Sequence, residues 1–265
     1  LIRRNDRPVR SQQRIMAARF KTFASEQPGV SDRVAFRALA KLRSMSDHLT
    51  SVSRMAKPGI SLMSTLLVVE ASPRGSYSVS RQLAERFADD WRGKHSGDVK
   101  IRDLATSDVP YISLPWIGGA FTPAEQQSPE MEQAIKISDY YIAELLAADE
   151  IVIGTPMYNF SIPALLKAWI DHVVRAGVTF SMSYEGLVKN KKATVIIASG
   201  GNFAPGTPYA SLNVASDYLK QILGFIGITD VTVILAGGTL AIDQGQTSLD
   251  DFVNQQIAVE QAEAA

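Results

Sequence analysis

The 265-residue sequence contains no cysteine. This excludes disulfides, thiolate nucleophiles, iron–sulfur clusters and cysteine-ligated zinc. Histidine is nearly as scarce, and His48, His95 and His172 stand too far apart to suggest a histidine-held metal. No apolar run approaches the roughly 20 residues that a membrane-spanning helix needs, so no membrane association is expected. Neither GxxxxGK[ST] nor GxGxxG occurs, which argues against nucleoside-triphosphate domains and the usual dinucleotide domains. What remains is an ordinary globular composition, 46% hydrophobic with a mean hydropathy near zero, and length enough for one large α/β domain.

The formal net charge of zero conceals two opposite parts. Residues 1–62 hold 13 Lys/Arg against Asp6, Glu26, Asp32 and Asp47, a net of +9, and the remainder carries −9. Such an asymmetry separates a tail from a folded body, and the acidic body is not expected to bind nucleic acid. Residues 1–62 read as a basic N-terminal extension, disordered or non-native, with Met63-Ser64-Thr65 as an alternative start. A transit peptide or a basic arm for anionic partners are the competing readings.

From Met63 on, short apolar runs alternate with helical periodicity. Thr65–Glu70, Val99–Leu104, Glu150–Thr155, Lys192–Ala198 and Val231–Ala236 read as strands. Ser78–Trp91, Glu130–Leu146, Ile162–Val174, Ser211–Ile226 and Ser248–Glu263 read as helices. Ala105–Gln127, with three prolines and a Gly-Gly, reads as a long loop. Fivefold strand–helix alternation predicts a doubly wound parallel sheet, most often ordered 2-1-3-4-5, with ligands bound over the carboxyl ends of strands one, three and four.

Three loops fall there. Ser72–Ser80 (SPRGSYSVS) brings hydroxyls and free amides to a helix start, which suits a phosphate. Its plainer reading is Ser78 as a helix cap among turn serines. Pro156-Met157-Tyr158-Asn159-Phe160 offers stacking rings and a carboxamide, or else an Asn159 cap beside two core aromatics. Ser199-Gly200-Gly201 allows backbone to approach a flat ligand, or is a simple turn. Together the loops call for a phosphate at one end and a flat ring at the other.

PMYNFSIPALLKAWID (156–171), RAGVTF (175–180) and LGFIGITD (223–230), in that order, resemble the flavodoxin-like oxidoreductases. Within them they resemble the FMN-dependent NADH:quinone oxidoreductases known as azoreductases. The resemblance extends from Met63 to about Ala265. It implies a flavodoxin-like five-stranded fold, non-covalent FMN, NADH or NADPH as donor, and quinones or aromatic azo compounds as acceptors in a ping-pong cycle. By the same resemblance Ser72, Ser78 and Ser80 match the phosphate loop. Pro156, Met157, Tyr158, Asn159 and Phe160 match the isoalloxazine loop, and Ser199, Gly200 and Gly201 the third flavin loop. Arg175 and Phe180 would line the substrate pocket, with Trp116, Phe121 and Phe225 as aromatic walls. A homodimer and a cytoplasmic location are implied, or an organellar one if residues 1–62 are a transit peptide. The cofactor carries the chemistry, so no catalytic side chain is expected and His172 is read as structural. Two positions depart from some relatives: Val79 stands where they have Gln, and Ala198-Ser199-Gly200-Gly201 where they have Ser-Arg-Gly-Gly. A flavodoxin-type electron carrier is the alternative, against which the long Ala105–Gln127 segment argues.

Overall fold

The computed structural model describes residues 64–263, with side chains to residue 258; the expected extension over residues 1–62 lies outside the described residues. Five parallel strands, β1 Ser64–Glu70, β2 Gly97–Asp103, β3 Glu150–Pro156, β4 Lys192–Ser199 and β5 Asp230–Gly237, form one sheet in the order β2-β1-β3-β4-β5. Helices α1 Val79–Lys94, α2 Leu114–Phe121, α3 Pro129–Ala147, α4 Ala164–Val173, α5 Val214–Ile226, α6 Leu240–Asp243 and α7 Leu249–Glu263 surround it. Among the described residues no helix is long and apolar enough to cross a membrane.

Strand side chains alternate between faces, so the sheet builds two cores. Leu67, Val69, Ile151, Ile153, Val195 and Ile197 pack under α3, α4 and α5, where Trp169 and Tyr141 are the largest buried side chains. Leu66, Val68, Val152 and Ile196 pack with Val79, Leu83 and Trp91 of α1 and with Phe252 and Val253 of α7. β1, β3 and β4, covered on both sides, are almost wholly buried, which is why they read as continuous apolar runs. β2 at one edge is only part-buried and mixes charge with Val99 and Ile101.

One sequence expectation is corrected. Ala105–Gln127 is not wholly loop: it contains α2. Pro115, Gly118 and Gly119 lower helix propensity there. Against that, the Ser113 hydroxyl caps α2 by accepting from the Trp116 amide at 3.3 Å, and proline near the first turn costs little. The helix is held by close packing on α3: a Cβ at Gly119 would lie 2.8 Å from the Met131 carbonyl oxygen. The short α6, also unexpected, follows β5.

Candidate functional site

The register brings the carboxyl ends of β1, β3 and β4 side by side, so the three predicted loops share one rim of the sheet. The middle loop is the most sharply defined. Tyr158 and Ser161 exchange backbone hydrogen bonds of 2.9 and 3.0 Å, and Asn159 and Phe160 between them have φ of 49° and 69°. Two consecutive left-handed residues make a type I′ turn, unusual for a phenylalanine. The turn is tied down at both ends. The Met157 amide donates to Ala198 O at 2.7 Å, and Phe160 O accepts from the amides of Val214 and Ala215, both at 3.1 Å, at the start of α5. Asn159 does not cap α4, whose N-cap is Pro163 without a side-chain bond. The turn instead presents Tyr158 and Phe160, 41% and 45% exposed, with Phe203 edge-on to Phe160 at 5.8 Å between centroids. Exposed rings on a pinned backbone form a surface that a planar ligand can stack against.

In the first loop, Ser72, Ser78 and Ser80 are all buried, and Pro73–Tyr77 between them are exposed. Ser78 does cap α1, accepting from the Arg81 amide at 3.4 Å, and its hydroxyl lies 3.2 Å from that of Ser80. The Val79 and Ser80 amides open the helix with no acceptor among the described hydrogen bonds, at the positive end of its dipole. The cap and the anion site are therefore compatible. In the third loop the Ser199 hydroxyl donates to Gly201 O at 2.9 Å. The carbonyls of Ser199, Gly200 and Gly201 accept from the amides of Thr239, Leu240 and Gly238, at 3.0, 3.3 and 3.2 Å. With its carbonyls occupied, this loop offers amides to a ligand, and a Cβ at Gly200 would point into open space. Amides at both flanking loops and a ring platform between them fit an anionic, planar cofactor such as FMN.

A family model described as a flavodoxin-like fold matches residues 64–258. FMN-dependent NADH:quinone oxidoreductase 8 of Burkholderia lata is 50% identical over 204 residues, covering 77% of this chain and 97% of that protein. FMN-dependent NADH:quinone oxidoreductase 2 of Jannaschia sp. is 48% identical over 192 residues, 72% of this chain and 94% of its own. The solved azoreductase of Bacillus anthracis superposes with a TM-score of 0.64 at 30% identity, covering 74% of this chain and 98% of that one. The chain belongs to the flavodoxin-like FMN-dependent NADH:quinone oxidoreductases.

The side chains expected to line this family member's pocket divide into separate groups. Phe180 and Phe225 pack at 4.7 Å, with Tyr184 stacked on Phe180 at 6.2 Å. Arg175 is engaged elsewhere, donating to the Ser138 hydroxyl at 3.0 Å and pairing with Asp139 of α3. Trp116 is buried, its ring edge-on to His172 at 5.8 Å, whereas Phe121 at the end of α2 is exposed. His172 is a packing residue in a buried pocket: its Nε2 donates to Pro110 O at 2.8 Å, and burial pushes its pKa down. No group of His, Cys, Asp and Glu suited to a metal occurs among the described residues.

Sequence reasoning missed the ionic cluster behind the first loop. Glu70 and Asp103, neighbours in the parallel register at the ends of β1 and β2, both pair with Arg81 of α1, Asp103 at 2.5 Å. Burial raises the Glu70 pKa, with Arg81 opposing. For Asp103 burial is outweighed by its hydrogen bonds to Arg81 and the Ala105 amide, which lower it. The signal was present: a carboxylate closing an apolar buried strand, TLLVVE, needs a buried cation.

Proposed function

We propose that this protein binds FMN non-covalently at the three-loop rim and passes two electrons from NADH or NADPH to quinones and aromatic azo compounds by a ping-pong mechanism. The observation that carries the reading is the pinned type I′ turn Tyr158–Ser161, with its rings exposed between two amide-bearing loops. The relatives' names supply FMN, NADH and quinone. When bound, FMN supplies hydride acceptance and electron delivery. The protein's part is positional. Ser72, Ser78, Ser80 and the amides that open α1 hold the phosphate. Pro156, Met157, Tyr158, Asn159 and Phe160 carry the ring, and Ser199, Gly200 and Gly201 address its edge with N–H groups, which favour negative charge there.

Phe180, Phe225 and Tyr184 offer an apolar wall for an aromatic acceptor. A second copy completing the pocket is consistent with Tyr111, Leu114, Ile117 and Phe121, exposed along and before α2. The test begins with the flavin absorbance released on heating, identified as FMN. Steady-state kinetics with NADH and NADPH against quinone and azo acceptors then follow. Parallel double-reciprocal lines are expected, and intersecting lines would overturn the ping-pong step. Bound FMN without NAD(P)H oxidation would instead identify a one-electron carrier. Elution at twice the mass of the chain is expected in size-exclusion chromatography.

A further inference from the structure

One buried residue joins both ends of the first loop. The Nε of Arg81 donates to Ser72 O at 2.8 Å, where the chain leaves β1, and its backbone amide donates to the Ser78 hydroxyl, where α1 begins. Three of the four remaining guanidinium N–H groups are taken by Glu70 and by both oxygens of Asp103, the latter at 3.0 and 2.5 Å. The residue is only 8% exposed, and four of its five guanidinium N–H groups are committed within the protein. Held by these protein partners, the residue acts on the loop through the backbone at Ser72 and the hydroxyl of Ser78. A planar fork with five donors can hold one carbonyl and two carboxylates at once; an ammonium cannot do so in the same geometry.

We propose that Arg81 is a positioning residue for the cofactor phosphate: it fixes the Ser72–Ser78 loop in its anion-accepting shape. The inference rests on the FMN reading above. Its consequence is selective, because only the phosphate lies in this loop. Riboflavin, which shares the ring and lacks the phosphate, is indifferent to Arg81. A residue that merely stabilised the fold would affect both ligands alike.

Two variants keep the local formal charge at that of wild type while removing the fork: Arg81→Lys and the double substitution Glu70→Gln/Arg81→Gln. The double variant also avoids leaving Glu70 buried without its cation. Flavin-fluorescence titrations of the full chain with FMN and with riboflavin read the outcome. In both variants the FMN dissociation constant is expected to rise about tenfold, a loss of ~1.4 kcal/mol, while that for riboflavin stays within about threefold. Equal weakening of both ligands, loss of both, or FMN affinity unchanged in both variants overturns the positioning role. A wild-type chain that binds neither flavin overturns the FMN reading, and this inference with it.

Discussion

Asn159 and Phe160 hold backbone angles that favour glycine, asparagine or aspartate. Asn159 suits the first left-handed position, and Phe160 accepts the second because its carbonyl is fixed by two amides of α5 and its ring meets Phe203. Strain of this kind persists where the surroundings over-determine it, and it concentrates at ligand sites. Asn159→Val, a β-branched side chain at φ 49°, is expected to destabilise the fold by about 1–2 kcal/mol in urea unfolding. Asn159→Gly is expected to stay near wild type in the same measurement. Phe160→Gly relieves strain but removes the exposed ring, so its stability should hold while FMN affinity falls in a fluorescence titration.

The segment between β2 and α3 is held to α4 by His172, whose Nε2 bonds Pro110 O and whose ring lies edge-on to Trp116 and Tyr141. The folded imidazole is kept neutral by burial, below its ordinary value of 6.5. Its contribution to stability is thus present above about pH 6.5 and lost as the pH falls through the lower folded value. His172→Gln retains a donor for Pro110 and removes the titration. Unfolding free energies compared from about pH 8 to about pH 5 should fall less steeply for this variant than for wild type. The same segment marks where element reading failed. β1, β3 and β4 were legible because buried parallel strands are unbroken apolar runs, and β2 and β5 through their β-branched Val, Ile and Thr residues. α2 was not, because Gly118 and Gly119 are tolerated by tertiary contact with α3, which no local pattern reveals. Likewise the loop residues 156–160 and 199–201 stood out by type, but the bonds from Arg81 to Glu70, Ser72 and Asp103 join positions brought together only by folding.

At the scale of the whole molecule, the proposed FMN site draws on loops from β1, β3 and β4 and so would couple three separate crossovers to one ligand. FMN at about 100 times its dissociation constant is expected to raise unfolding free energy by ~2.7 kcal/mol, seen as a higher thermal midpoint; an unchanged midpoint would contradict a native-state site. The sheet itself ends in two unequal margins. β2 carries Asp98, Lys100, Arg102 and Asp103, whereas β5 has a charge only at Asp230. Charged side chains on an outer strand keep it from accepting the backbone of another molecule. Asp98→Val together with Lys100→Val should leave the fold of each copy intact, Glu144 keeping its pair with Arg102, yet raise light scattering on storage, through strand-to-strand association between molecules rather than unfolding.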